Sequence, residues 1–265
     1  MGQPVLSDGE FKVYQKLIFK EVGISLDDSK KTLVQSRLFK RLLNYKISSY
    51  SEYLRIVQID TKEKMEMINL ITTNETYFFR ELSHFDFLEK SAKESNGKFR
   101  VWSAASSVGA EAYTIAMVLD SVKGRESWEI VGTDISTEVI KKARMGLYPE
   151  GWIKKIPSKF REKYCLKGRG KYEGQFLIDR ALARNTKFDT NNLMMLNTSF
   201  GQFDIVFLRN VLIYFNNETR ESVIKNVVAN LKVGGYFIIS LTENLQSLNL
   251  PNLEQVQSSI YRKIK

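Results

Sequence analysis

Apolar residues in the first seventy positions recur at helical spacing. Phe11, Tyr14 and Ile18 are separated by three, four and seven, and Leu17 joins the same face. Gly23 is placed to stop that helix, and Asp27 or Asp28 to cap the next. The second helix is predicted over 29–44, where Leu38 and Leu42 lie four apart and Leu33, Phe39 and Leu43 widen the apolar face. Two shorter helices are predicted at 51–57 and 62–71.

Beyond this region the pattern changes to short apolar runs alternating with amphipathic stretches. Strands are predicted at 99–105, 128–134, 203–208 and 236–241, with 259–264 as a final edge strand. Helices are predicted at 110–122 and 137–145, and at 218–231, where Gly234-Gly235 marks the end of the last one. Such alternation specifies βαβ units and a mostly parallel sheet. One stretch breaks the alternation. Residues 154–187 hold eleven basic and three acidic side chains and a glycine cluster, Gly168, Gly170 and Gly174. It reads as a small antiparallel insertion with its turn at the glycines.

Composition narrows the chemistry. Cys165 and His84 are the single cysteine and the single histidine. Internal disulfides, Cys-rich zinc sites and His-rich metal sites are thereby excluded, a Ser-His-Asp or Cys-His nucleophile pair is disfavoured, and no metal is expected. The N-terminal segment lacks the basic and apolar regions of a signal peptide, and no apolar run approaches the length of a membrane span. A cytoplasmic protein without membrane insertion is expected. The net charge of +10 calls for an acidic partner. Lys30, Arg37 and Arg41 fall within about 40° of one another on a helical wheel, forming a basic stripe.

In open α/β sheets, ligands bind beyond the carboxyl ends of the strands. The first predicted strand ends in Ser103-Ala-Ala-Ser-Ser-Val-Gly109-Ala-Glu111, whose small residues let backbone approach a ligand. The GxGxxG and GK[ST] patterns are absent, so neither a dinucleotide pyrophosphate nor a P-loop is indicated. The second strand ends in Asp134, suited either to accept ribose hydroxyls or to cap the next helix. A nucleoside held without a pyrophosphate grip points to S-adenosylmethionine (SAM).

The string Thr72-Thr-Asn-Glu-Thr-Tyr-Phe-Phe-Arg80-Glu81, followed by His84-Phe85, resembles the signature of the chemotaxis receptor glutamate methyltransferases, the CheR family. So do Trp102-Ser-Ala-Ala, Gly132-Thr-Asp134-Ile-Ser, Arg209-Asn-Val-Leu-Ile-Tyr-Phe215 and Gly234-Gly-Tyr-Phe, and the run Leu33-Val…Arg37-Leu…Arg41-Leu looks like that family's helical domain. The resemblance implies a Rossmann-like class I SAM-dependent methyltransferase with an all-α N-terminal domain and a small antiparallel β-subdomain insertion. The expected boundaries are 1–71 for the helical domain, 72–98 for a signature-bearing linker and helix, and 99–265 for the methyltransferase domain, with the insertion at about 158–190.

Carried over position by position, the donor-binding residues are Asn74, Thr76, Arg80, Glu111, Asp134, Asn192, Leu193, Asn210 and Val211. Arg80 is expected to orient the substrate carboxylate, and Tyr214 to line the same pocket. His84 is expected to be structural, and Tyr77-Phe78-Phe79 to be packing that positions Arg80. The reaction implied is methyl transfer to glutamate side chains on the cytoplasmic helices of methyl-accepting chemoreceptors, leaving S-adenosylhomocysteine. Lys30, Arg37 and Arg41 would steer these acidic helices. The spacing of Gly168, Gly170 and Gly174 looks like that of members that dock on a receptor's C-terminal peptide. A monomer is expected, and nucleic acid is not an expected partner.

The chain departs from the family where Gly109-Ala-Glu-Ala-Tyr-Thr114 replaces Gly-Glu-Glu-Pro-Tyr-Ser, and where Leu241-Thr-Glu-Asn-Leu245 replaces His-Ser-Glu-Ser-Leu. Two alternatives stay open at this point: a SAM-sensing or receptor-binding relative without turnover, and a nucleic-acid methyltransferase suggested by the positive charge.

Overall fold

The structure, a computed structural model, describes residues 4–72 and 75–265. The chain divides into a helical unit, residues 1–73 with 214–219, and a sheet unit, residues 74–213 with 220–265.

The helical unit contains α1 (Asp8–Val22), α2 (Lys31–Tyr45), α3 (Tyr50–Ile59) and α4 (Thr61–Ile71). Its boundaries follow local chemistry. Ser7 with Glu10, and Ser49 with Glu52, form capping boxes; Asp60 caps α4; Gly23 ends α1 with φ of 74°. Asp27 caps a short 3-10 turn, Asp28–Lys30, that precedes α2. The buried face of α2 is Val34, Leu38 and Leu42, whereas Leu43 is exposed and so does not widen that face. These side chains share the core with Phe11, Tyr14 and Ile18 of α1 and Tyr50, Tyr53 and Val57 of α3. Two of the buried tyrosine hydroxyls are satisfied by backbone: Tyr14 donates to the Tyr50 carbonyl at 2.7 Å, and Tyr50 to that of Gln35 at 2.9 Å.

The sheet unit opens with α5 (Ser83–Glu94), β1 (Phe99–Ala104), α6 (Ala110–Val122), β2 (Trp128–Asp134) and α7 (Thr137–Met145). Next come β3 (Leu147–Pro149), α8 (Ser158–Tyr164), β4 (Cys165–Lys167), β5 (Gln175–Ile178), α9 (Arg180–Ala183) and β6 (Thr186–Thr190). The chain finishes with β7 (Phe203–Leu208), α10 (Asn217–Val228, whose first turn groups with the helical unit), β8 (Leu231–Ile238), β9 (Leu253–Gln257) and β10 (Ile260–Lys263). The main sheet has the order β6-β2-β1-β7-β8-β10-β9, parallel from β6 to β8 and antiparallel beyond. β1 and β7 are buried almost throughout, which is why each reads as an unbroken apolar run. From β1 the chain builds outward through β2 and β6, then returns to the other side of β1 for β7 and β8. The switch point therefore lies between β1 and β7.

Three boundaries differ from the sequence reading. Gly234-Gly235 lies inside β8 rather than ending a helix. The β7–β8 register shifts there, Gly234 has φ of 82°, and a Cβ on Gly235 would sit 2.8 Å from the Asp204 carbonyl oxygen. The glycines mark a bulge and a close backbone approach. β10 is not the edge strand, because β9 pairs outside it. The small sheet, ordered β3-β5-β4, begins at Leu147, and β6 belongs to the main sheet.

Candidate functional site

The loop after β1 folds back over the end of β2. Ala105 and Ser107 have φ of 60° and 51°, and Gly109 has φ of 86°. A Cβ on Gly109 would lie 2.9 Å from both the Ala143 Cβ and the Phe188 ring, so a larger residue would push this loop outward. Its path aims the Ser107 N–H at Asp134 Oδ2 (2.9 Å), while the Ser136 N–H reaches Oδ1 (2.9 Å). Asp134 is 7% exposed. Burial pushes its carboxyl above the ordinary value, opposed by the backbone N–H groups of Ser136, Ser107 and Ile135. The helix-capping alternative for Asp134 is filled by another residue: Ser136 caps α7 by accepting from the Val139 N–H. A carboxylate offers about four lone-pair directions, so these backbone contacts leave Asp134 with acceptor capacity.

A buried ionic network lies beside the switch point. Glu111, in the first turn of α6, accepts from Ser103 Oγ at 2.7 Å and pairs with Arg209 Nη1 at 2.8 Å. Arg209 is nearly inaccessible; its Nη2 donates to the Arg80 carbonyl at 2.5 Å and lies 3.3 Å from Glu81 Oε2. Glu81 in turn accepts from Ser240 Oγ at 2.8 Å and from the Leu241 N–H at 2.9 Å. Burial pushes the Glu81 carboxyl up, but Arg209, the Leu241 N–H and the Ser240 hydroxyl outweigh it and leave it below the usual range. Glu243 accepts from the N–H groups of Ser240 and Leu212 (3.0 Å each) and Asn210 (3.3 Å), and the Asn210 side chain donates to Ser240 Oγ at 2.7 Å. Burial raises the Glu243 carboxyl. These bonds tie the signature loop, the loop after β7 and the loop after β8 into one body. Phe79, Glu81 and Asn210 adopt positive φ here. Together with Ala105 and Ser107, most of the chain's described non-glycine positive-φ residues thus sit at this end of the sheet, the kind of backbone strain that collects at working sites.

His84 lies under this network, with Nε2 2.7 Å from Ser259 Oγ and Nδ1 3.4 Å from Glu81 Oε2. Burial first, then the charge of Arg209, lowers its pKa to about 4. It is a packed, neutral side chain at pH 7.

The remaining expected residues are distributed as follows. The Asn191 N–H bonds the Asp134 carbonyl at 3.0 Å, which brings Asn192 and Leu193 alongside Asp134. Asn192 Oδ1 accepts from the Met194 N–H at 3.0 Å, and the Leu193 carbonyl accepts from Asn226 at 3.1 Å. Thr76 and Val211 are half-buried. Arg80 is half-buried, donates to the Glu75 carbonyl at 3.2 Å and lies 5.5 Å from the Tyr77 ring centroid. Phe78 and Phe79 are buried packing: Phe78 meets Tyr148 and Phe176, Phe79 stacks on Phe160, and the Phe79 N–H donates to Thr114. Asn74 lies outside the described residues. Tyr214 groups with the helical unit, where its carbonyl accepts from the Ser25 N–H at 2.8 Å.

The basic stripe of α2 does not survive as one surface. Arg37 donates to the Leu70, Ile71 and Thr72 carbonyls at the end of α4, where it satisfies helix-terminal acceptors. Arg41 forms a two-point pair with Glu63 (2.5 and 2.8 Å), and Tyr53 and Tyr45 also donate to Glu63 at 2.6 and 3.0 Å. Only Lys30 of the three is exposed. In the small sheet, Gly168 donates to the Gln175 carbonyl, and a Cβ there would collide with the Tyr172 carbonyl; Gly170 and Gly174 take positive φ at the turn.

Sequence reasoning assigned no task to Glu81, Arg209, Ser240 or Glu243. The available signal was a charge, Arg209, directly after the apolar run of β7. Among the described residues no cluster of three potential metal-ligating side chains occurs, and no helix is long and apolar enough to cross a membrane.

The chain is similar to known proteins along most of its length. The model of the CheR methyltransferase SAM-binding domain matches residues 74–261, and that of the CheR methyltransferase all-alpha domain matches residues 9–72. The chemotaxis protein methyltransferase of Escherichia coli (strain K12) is 36% identical over 248 residues, covering 92% of this chain and 87% of that protein. That of Salmonella typhimurium (strain LT2) is 36% identical, covering 92% and 86%. That of Borreliella burgdorferi is 34% identical over 264 residues, covering 94% and 92%.

Proposed function

Because the chain belongs to the CheR family of SAM-dependent methyltransferases, we propose that it esterifies glutamate side chains on the cytoplasmic helices of methyl-accepting chemoreceptors. The observation that carries this reading is Asp134, a buried carboxylate at the end of β2 with acceptor capacity to spare, facing a loop of small residues. Those features fit the ribose of SAM, and the surrounding residues fit the rest of the donor. Glu111, whose charge is shared with Arg209, takes its amino end on its remaining acceptor positions, Asn192 and Leu193 flank the adenine, and Asn74, Thr76, Asn210 and Val211 complete the contacts. When bound, SAM supplies an electrophilic methyl group and departs as S-adenosylhomocysteine.

The acceptor makes small demands on the protein. A glutamate side chain with a pKa of about 4.3 is already anionic at pH 7, so no general base is needed. His84 has no catalytic duty in this account. The protein's work is to hold a carboxylate oxygen in line with the methyl group at about 3 Å, and such positioning is worth several kcal/mol. Arg80 is the residue for it: its guanidinium carries five N–H donors, and no acidic side chain among the described residues pairs with it. The role of Tyr214 rests on the family resemblance alone.

The family departures are compatible with turnover. Ala110 and Ala112 are buried, Glu111 keeps its network, and Thr114 supplies a hydroxyl that accepts from the Phe79 N–H. The small sheet leaves β3 and β4 as edge strands, to which a receptor's C-terminal peptide would add as an extra strand. Tethering of that kind raises the local substrate concentration, to roughly millimolar for short linkers. The protein is expected to act as a monomer in the cytoplasm.

The test is transfer from methyl-labelled SAM to a chemoreceptor cytoplasmic fragment. Label on the receptor that is released as methanol by mild base is expected. Label stable to base, label on nucleic acid instead, or tight SAM binding without transfer would overturn the assignment.

A further inference from the structure

Two cations share one aromatic ring in the sheet unit. Arg80 lies 5.5 Å and the Lys155 ammonium 5.3 Å from the Tyr77 ring centroid. The two charges are therefore no more than about 11 Å apart. Among the described residues neither has an acidic side chain within salt-bridge reach. By contrast, Arg41 and Arg209, which also lie over aromatic rings, are each paired with a carboxylate.

The placement of Lys155 is fixed. It ends the 3-10 helix Glu150–Lys155, next to buried Ile156. Trp152 of the same helix stacks on Tyr148, 5.9 Å away, and meets Phe78 edge-on at 6.4 Å. Phe78 directly follows Tyr77, so the aromatic packing that anchors the signature loop also anchors the backbone that carries Lys155. The side chain itself is exposed, and Lys154 and Lys159 beside it are exposed too.

We propose that Lys155 is an acceptor-docking residue: it binds a second acidic side chain of the same protein segment whose glutamate is presented to Arg80, with both cations held against the Tyr77 ring. This rests on the functional reading above and adds to it a requirement on the substrate. The segment must carry a neighbouring carboxylate, spaced to reach Lys155 while the reacting one is at Arg80. Charge complementarity selects the occupant: two unpaired cations next to a site for a carboxylate acceptor, in a region of local charge +8 over 154–187. An ordinary solvated lysine would show no dependence on a particular acid of the substrate, so the two possibilities separate experimentally.

The experiment is equilibrium binding, by fluorescence anisotropy, of a labelled chemoreceptor cytoplasmic fragment, with SAM affinity and methyl transfer measured in parallel. Wild type, Lys155→Ala, Lys155→Glu and Lys155→Arg are compared on the fragment and on one whose acids flanking the methylated glutamate are replaced by glutamine. Lys155→Ala should weaken binding and raise KM roughly threefold, with kcat and SAM affinity unchanged. Lys155→Glu should do more, Lys155→Arg should restore binding, and the Ala effect should vanish on the glutamine fragment. Equal binding by wild type and Lys155→Glu, an Ala effect that persists on the glutamine fragment, or a loss confined to a single-stranded RNA oligonucleotide would each overturn the proposal. If receptor binding depends on Lys155 but no base-labile methyl is transferred, the docking role stands and the enzymatic reading falls.

Discussion

Two arginines in this protein stand over tyrosine rings at almost the same distance, and they do opposite things. In the helical unit Arg41 lies 5.6 Å from the Tyr45 ring; in the sheet unit Arg80 lies 5.5 Å from Tyr77. Arg41 is neutralised by Glu63, which is 4% exposed and takes two further tyrosine hydroxyls, so every charge is spent on holding helices together. Arg80 shares its ring with a second cation and pairs with no carboxylate among the described residues. The cation–ring contact therefore says little about role. For these two arginines the counter-ion does: Arg41, satisfied by Glu63, is scaffold, and Arg80, without a carboxylate partner among the described residues, is available for a ligand.

The largest effect that would test this contrast is on the helical unit. Glu63→Ala strands Arg41 and removes the acceptor of Tyr53 and Tyr45, and should cost about 3–5 kcal/mol in chemical denaturation. Replacing the pair together, Arg41→Met with Glu63→Leu, should recover most of it. A loss below about 1 kcal/mol for Glu63→Ala would make the pair an ordinary surface contact.

Acid should separate the two units next. His84 has a folded-state pKa depressed to about 4 from 6.5, so the unfolded chain binds its proton first. The sheet unit should be fully stable above about pH 6.5 and lose up to roughly 3 kcal/mol as pH falls toward 4. The Glu63 carboxyl is also held below its ordinary 4.5: burial raises it, and Arg41 with the two tyrosines more than reverses that. Its contribution to the helical unit is present above 4.5 and is lost only below that. All three tryptophans, Trp102, Trp128 and Trp152, lie in the sheet unit, so their fluorescence in denaturant at a series of pH values reports on that unit alone. A tryptophan-detected stability that is flat from pH 7 to 5 would contradict the burial of a neutral His84.

Asp134→Ala should weaken SAM by roughly 100-fold in calorimetry, the loss of two charge-assisted hydrogen bonds at about 1.5 kcal/mol each. Arg80→Ala should lower kcat about tenfold or more at saturating donor, because it misplaces the acceptor rather than the donor. If Arg80→Ala instead changes SAM affinity alone, the unpaired arginine belongs to the donor and the contrast with Arg41 needs a different explanation.

The sequence and the fold agree best where one physical constraint dominates. β1, β2 and β7 are buried on both faces and so appear as apolar runs, and the helical unit is bounded by capping boxes that are written in Ser7-Glu10 and Ser49-Glu52. β9 was not legible because an exposed edge strand, Leu-Glu-Gln-Val-Gln, carries almost no apolar pattern. Gly234-Gly235 was misread because a glycine pair in a bulge looks like a helix stop. In the site, Asp134 could be found because it ends its strand, and Glu111 because it keeps the second glutamate of the family pattern after β1. Glu81, Ser240 and Glu243 could not, since their contacts join segments up to 160 residues apart, and Arg209 left only the signal of a charge directly after β7. The α2 stripe shows the same limit: periodicity put Lys30, Arg37 and Arg41 on one face, but only the fold shows that α4 takes the charge of the last two.

The central claim is that the crevice beyond β2, β1 and β7 holds the nucleoside of SAM on Asp134. A crystal structure of the protein grown with S-adenosylhomocysteine tests it most directly. The account predicts the ribose hydroxyls about 2.7 Å from the Asp134 carboxylate, with the amino-acid end toward Glu111 and Arg80. A nucleoside bound elsewhere, or a crevice filled by the protein's own side chains at saturating ligand, would contradict it.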